Sequence, residues 1–251
     1  MLPYTEQVLR KECNDCVEQF TLIQEAIGEA SFEQVKELSC HDRCMAVGES
    51  FGLKVEHGYY MPGFEHSWCV DRCGNIIDVY PCGVIGGPIL IAKIVAYCMR
   101  LNGLYEVNDN PAVLKECQTI TEECGDCVEQ FALIRKVINK ASFGQVEKLS
   151  CHVLCMAVGE LFGLKVKHGY YMPGFEHSWC VDRCGNIIDV YPWGVIGGPV
   201  LIAKTVANRL RLNGLYRVNN NLEVLKERQT SEDADTAKAE IAQLLELYKA
   251  T

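Results

Sequence analysis

Apolar positions follow a helical period first and a strand period later. Over residues 5–30, Val8, Cys16, Phe20, Ile23 and Ile27 recur at mostly helical intervals, which predicts a helix. A second helical stretch is expected from Ser31, a capping residue followed by Glu33, with a break near Ser39 and a restart at Cys40. Cys40, Cys44, Val47 and Phe51 then share one face, and Gly52 is a natural stop. Beyond it the pattern changes. Residues 53–61 carry Val55, Tyr59 and Tyr60, Pro62-Gly63 marks a turn, and residues 66–70 and 75–80 flank Asp71-Arg72-Cys73-Gly74 as a hairpin. Residues 89–101 suit a strand, a helix, or a strand running into a helix. One such unit is α+β, with helices packed on a small antiparallel sheet.

The whole pattern occurs twice. Residues 12–20 read ECNDCVEQF and residues 123–131 read ECGDCVEQF, while YMPGFEHSWCV at 60–70 returns unchanged at 171–181, both at an offset of 111. A period this long means two globular units, since solenoid repeats run about 20–50 residues. The expected organisation is a first repeat over 1–119, a second over 120–230, and a tail over 231–251. In the tail, Ile241, Leu244, Leu245 and Tyr248 keep helical spacing, so it either packs back on a domain or serves as a dimerisation helix.

Composition narrows the function. The formal net charge is -9 and no Lys/Arg-rich run occurs, which disfavours nucleic acid and anionic membranes as partners. The N-terminus carries no apolar stretch of signal-peptide length, and the apolar stretches at 84–95 and 195–206 are too short and interrupted to span a bilayer. A cytoplasmic protein is therefore expected. Fifteen cysteines in such a chain point to thiol chemistry or metal before a disulfide framework.

The duplication sorts those cysteines. Six recur at the offset: Cys13/Cys124, Cys16/Cys127, Cys40/Cys151, Cys44/Cys155, Cys69/Cys180 and Cys73/Cys184. Cys82, Cys98 and Cys117 face Trp193, Arg209 and Arg228, so they are read as small apolar residues outside any shared chemistry. His41/His152, His57/His168 and His66/His177 also recur. His57 is expected at the surface or in packing, and His41 is expected to be exposed, yet close enough to tune Cys40.

A nucleophile site can be built from Cys40, His66 and Asp78, and again from Cys151, His177 and Asp189. A thiol at a helix start is acidified by the exposed N–H groups and the positive end of the dipole. An imidazole can take its proton, and a carboxylate can fix the tautomer. If Arg72-Cys73-Gly74 is a three-residue loop, Trp68 lies opposite Asp78, and His66 is diagonal to Asp78 on the same face; a two-residue loop would separate them. Cys44 lies one turn along from Cys40 and is the alternative nucleophile. Cys40 is preferred because Ser39 caps it.

Cys40 at a helix start, His66-Ser67-Trp68 ending a strand, and Asp78-Val79-Tyr80-Pro81 on the next strand resemble the transglutaminase-like branch of the papain-like cysteine superfamily, over residues 39–81 and 150–192. The resemblance implies Cys40 and Cys151 as nucleophiles, His66 and His177 as bases, and Asp78 and Asp189 as orienting groups. It further implies acyl transfer, or amide or peptide hydrolysis, on a peptide, amide or acyl substrate. No organic cofactor is expected, since no phosphate-binding glycine motif occurs. Tyr60, Trp68, Tyr171 and Trp179 belong to aromatic-rich segments suited to line a substrate groove.

Two other readings remain open. Zinc is the first: Cys13, Cys16, His66 and Cys69, with Cys124, Cys127, His177 and Cys180, have ligand-like pair spacing, and a zinc-stabilised binding module would need no catalysis. The second is reversible thiol oxidation within Cys13/Cys16, Cys40/Cys44 or Cys69/Cys73.

Overall fold

The computed structural model describes residues 4–29, 38–80, 84–108, 124–140, 150–173, 175–190, 195–219 and 232–249. The helix expected from Ser31, the repeat boundary near residue 119, Pro81, Pro192, Cys82 and Cys117 lie outside the described residues. The described elements mix helices with antiparallel sheet in each repeat, an α+β arrangement.

In the first repeat, helices α1 (Tyr4–Glu29) and α2 (Cys40–Phe51) precede strands β1 (Lys54–Met61), β2 (Phe64–Val70), β3 (Ile76–Asp78), β4 (Val84–Ile85) and β5 (Ile89–Ile91); α3 (Lys93–Leu101) and β6 (Glu106–Val107) follow. The segment left open between strand and helix is thus a strand that runs into a helix. In the second repeat, α4 (Gly125–Lys140), α5 (Cys151–Phe162), β7 (Lys165–Met172), β8 (Phe175–Val181), β9 (Ile187–Asp189), β10 (Val195–Ile196), β11 (Val200–Ile202), α6 (Lys204–Leu212) and β12 (Arg217–Val218) keep the same order, and α7 (Glu232–Lys249) is added. The chain resolves into two compact units. One holds Thr5–Thr121 with Gly194–Gly197; the other holds Glu122–Trp193 and Gly198–Thr251 with Met1–Tyr4.

Strands run in the order β5-β3-β2-β1-β6 in one sheet and β11-β9-β8-β7-β12 in the other, all antiparallel. The central hairpin has the three-residue loop: Val70 pairs with Ile76 and Cys69 with Ile77, and Asp71 N donates to Asn75 O at 3.1 Å. Gly74 closes it at φ 85°, a left-handed conformation that glycine adopts without steric cost. This register sets Trp68 opposite Asp78. Helix α2 packs across β2, so His66, Ser67, Trp68 and Cys69 are all buried. At Gly58 the outer strand comes so close that a Cβ would sit 1.9 Å from Glu106 O, and Gly169 stands in the same way against Arg217 O. A side chain at either position would push off β6 or β12.

The tail helix α7 packs on α4 and α5 within its unit. Ile241 and Leu245 join Phe131, Ile134, Leu154, Cys155 and Val158 in one apolar cluster. Among the described residues, no helix is long and apolar enough to cross a membrane.

Candidate active site

Helix α2 opens on the thiol of Cys40, and Ser39 caps it. Ser39 Oγ accepts from Asp42 N at 3.1 Å, and the Asp42 carboxylate accepts in turn from Ser39 N at 3.3 Å. Ser150 caps α5 through Val153 N at 3.4 Å, again with the cysteine, Cys151, as first helical residue. Cys40 is buried and Cys151 is partly exposed.

The hairpin delivers the second and third groups. His66 Nε2 lies 2.8 Å from Asp78 Oδ2, and His177 Nε2 lies 2.8 Å from Asp189 Oδ2, all four side chains being buried. Residues i and j−2 on facing strands share a face, and the three-residue loop makes His66 and Asp78 such a pair. Tyr105 and Tyr216, which sequence reasoning missed, complete the arrangement. Their hydroxyls donate to the same Oδ2 atoms, at 2.7 Å on Asp78 and 2.8 Å on Asp189. Both tyrosines hold a left-handed backbone, φ 52° and 48°, which is strained for a bulky residue. The available signal was the repeated LNGLYxVN at 101–108 and 212–219.

In the second repeat the Cys151 thiol, the His177 imidazole and the Asp189 carboxylate influence one another's charge. Burial opposes ionisation of Cys151, but hydrogen bonds to His152 and His177 and their charges outweigh it and hold the thiol at about 6. Burial likewise disfavours a charged His177, but the Asp189 charge and hydrogen bond, with Cys151, raise it to about 10. The Nδ1 atom of His177 is buried, and with Nε2 taken by Asp189 it is the ring nitrogen left for the thiol.

Cys44 and Cys155 are different in kind. Each is fully buried and donates to the carbonyl of the adjacent strand, Ser67 O or Ser178 O, at 3.0 Å. The hydrogen bond to Cys69, with burial, pushes Cys44 far up, and burial does the same to Cys155. These thiols stay protonated.

A second pair of imidazoles stands beside the first. Ser67 Oγ lies 3.3 Å from His41 Nδ1 and 2.8 Å from His57 Nδ1, and Ser178 Oγ bridges His152 and His168 in the same way. His152 is buried and His41 half-buried, rather than exposed as expected. Burial, then the charge of His152, lowers His168 to about 4, so it is neutral near pH 7.

The residues expected to line a substrate groove are inside the protein. Trp68 and Trp179 are fully buried, edge-on to Tyr105 and Tyr216 at 5.2 Å, and Tyr60 and Tyr171 pack edge-on to His66 and His177. Here they brace the imidazole and the phenol.

The expected zinc set is also redistributed. His66 faces Asp78, and Cys69 Sγ lies 3.4 Å from Cys44 O, so neither joins Cys13 and Cys16. Cys73 does. Among the described residues, Cys13, Cys16 and Cys73, and likewise Cys124, Cys127 and Cys184, place their sulfurs within 4.8 Å of one another and can hold a metal ion. Cys13 and Cys16 are joined as a disulfide, whereas Cys124 and Cys127 are thiols. Comparison with family models, curated proteins and solved structures finds no match for this chain.

Proposed function

We propose that each repeat carries out cysteine-dependent acyl transfer or amide or peptide bond hydrolysis, with Cys40, His66 and Asp78, and Cys151, His177 and Asp189, on a transglutaminase-like, papain-like scaffold. The observation that carries this reading is the buried His177 ring, held by Asp189 on one nitrogen and interacting with the helix-first Cys151 thiol. The Cys151 thiolate attacks the carbonyl carbon and forms a C–S bond. The oxyanion is offered the N–H groups and the positive dipole end at the start of α5. As the C–N bond breaks, imidazolium Nδ1 passes its proton to the leaving amine. Water or a second amine then attacks the thioester carbon, the ring takes the incoming proton, and the C–S bond breaks to release the acyl product and restore the Cys151 thiolate. Asp189, fixed by Tyr216, keeps Nε2 protonated throughout.

Iodoacetamide at near-neutral pH tests this reading. Cys40 and Cys151 should label stoichiometrically, and His66→Ala and His177→Ala should abolish it; labelling that ignores both substitutions would remove the nucleophile assignment. A second reading is a metal-stabilised or thiol-redox binding module without catalysis, with which the three-cysteine groups are compatible. The two readings share no residue, because His66 and His177 lie outside those groups.

A further inference from the structure

We propose that the three-cysteine group of each repeat, once reduced, is a zinc site: Cys13, Cys16 and Cys73 in one, Cys124, Cys127 and Cys184 in the other, each tying the N-terminal helix of its repeat to the central hairpin. The proposal stands whether or not Cys40 and Cys151 are nucleophiles.

Local backbone makes the paired cysteines suitable ligands. A Cys-x-x-Cys inside a regular helix splays its sulfurs, but neither pair sits in one. Cys13 breaks α1 with φ −157° and ψ 81°. Cys124 immediately precedes α4, and its carbonyl accepts from Cys127 N at 2.9 Å and Val128 N at 3.1 Å. In both repeats the first cysteine therefore lies at the entry of a helix and the second in its first turn.

The third ligand comes from a loop built to present it. Asp71 Oδ1 accepts from Cys73 N and Asn75 N at 2.9 Å each, and Asp71 Oδ2 accepts from Asn75 Nδ2 at 2.8 Å. Asp182 holds the Cys184 loop in the same way. The loops set Cys73 Sγ 3.2 Å from Cys16 Sγ, and Cys184 Sγ 3.3 Å from Cys127 Sγ. Zinc–sulfur bonds of about 2.3 Å at tetrahedral angles separate the sulfurs by about 3.8 Å. Sulfurs already within 4.8 Å of one another reach that spacing by small side-chain rotations.

Ordinary packing does not account for the clusters. Buried cysteine behaves as a small apolar residue, yet Cys13, Cys73, Cys124 and Cys184 are each only half-buried. A disulfide uses two of the three sulfurs and leaves Cys73 or Cys184 over; a metal ion uses all three. Charge also fits. Zn²⁺ and three thiolates sum to one negative charge, and an arginine stands beside each group: Arg72 pairs with Asp15, and Arg183 pairs with Asp126 while its Nη2 lies 3.5 Å from Cys124 Sγ. The fourth position of a tetrahedral ion is left to water or an external ligand on the partly exposed side. Loading replaces three S–H bonds by three Zn–S bonds and releases three protons to solvent per site.

The test uses the full chain, reduced with excess dithiothreitol, which converts the Cys13–Cys16 disulfide to two thiols and is itself oxidised to its cyclic disulfide. After anaerobic removal of reductant and loading with Zn²⁺, bound metal is counted. Two ions per chain are expected, one in Cys73→Ser, one in Cys184→Ser and none in the double variant, with Cys98→Ser retaining both. Co²⁺ in place of Zn²⁺ should give thiolate-to-metal charge transfer and the intense visible bands of tetrahedral cobalt. Less than one ion on the reduced parent protein overturns the proposal, and that outcome needs no variant to fold. Full retention of metal in the double variant, or a Cys13–Cys16 disulfide that re-forms in the presence of Zn²⁺, overturns it as well.

Discussion

The hydroxyl of Tyr216 and the Nε2 of His177 meet on one carboxylate oxygen, Asp189 Oδ2, at 2.8 Å each. Tyr105 and His66 share Asp78 Oδ2 in the same way, at 2.7 and 2.8 Å. A buried carboxylate must have its lone pairs satisfied, and the phenol satisfies one without competing for the ring. Tyr216→Phe removes that hydrogen bond and little volume. It should cost about 1.5–3 kcal/mol of unfolding free energy, the range for a hydrogen bond to a charged group. Denaturant unfolding of the variant checks this, and an unchanged midpoint would show that the phenol contributes nothing to the site.

The thiol of Cys151 should ionise early. Its folded value of about 6 is depressed from 9.0, so it carries a proton below pH 6 and is thiolate above it. His177, raised to about 10, remains protonated across that window, and the pair is an ion pair between about pH 6 and 10. Alkylation of Cys151 should therefore rise to half its plateau near pH 6, well below the 8.5 or so of an ordinary cysteine. Asp189→Asn removes the charge that favours imidazolium and should shift the midpoint upward. A parent midpoint at the ordinary thiol value would contradict the ion pair.

Cys155 and Cys44 should not compete. Both donate to a strand carbonyl from full burial, and ionisation would leave a charge without compensation. Cys155→Ala should leave labelling of Cys151 at one equivalent and cost on the order of 1 kcal/mol through a small cavity. Peptide mapping after labelling checks this. Loss of label in Cys155→Ala, with Cys151 unmodified, would reassign the nucleophile.

How much of this was legible depends on how local each signal is. The hairpin itself was readable because alternation and Gly74 mark its strands and turn, but a two- or three-residue loop stayed open, and the three-residue loop seen in the structure is what brings His66 to Asp78. The capped start of α2 was equally local. The break at Cys13 was not readable, since Val8, Cys16, Phe20 and Ile23 keep helical spacing straight through it. That hid the true position of the Cys-x-x-Cys pair and with it the third cysteine of the group, Cys73, which is 57 residues from Cys16. Tyr105 was invisible for another reason. It stands just before the two-residue strand β6, which pairs with β1, and no sequence period reports so short a strand. The aromatic run at 59–68 advertised a groove, but alternation cannot distinguish a buried face from a binding face, and residues 66–69 of β2 are buried on both faces.

The two repeats differ where the tail helix packs. Arg43 and Ser50 of α2 correspond to Leu154 and Leu161 of α5. Arg43 stacks its guanidinium 4.1 Å from the centroid of the Tyr80 ring, whereas Leu154 and Leu161 pack with Ile241 and Leu245 of α7. The second repeat has exchanged polar for apolar positions beneath the added helix, so its core continues into the tail. Ile241→Ala should destabilise that unit by roughly 2–5 kcal/mol through lost burial and the cavity left behind. Deletion of residues 232–251 should do more, since Leu154, Leu161 and Val158 would then face water. Amide exchange followed by mass spectrometry gives the readout. Protection should fall in α4 and α5 and stay unchanged in α1 and α2. Equal loss in α1 and α2, or none in α5, would mean that the tail does not belong to the core of the second unit.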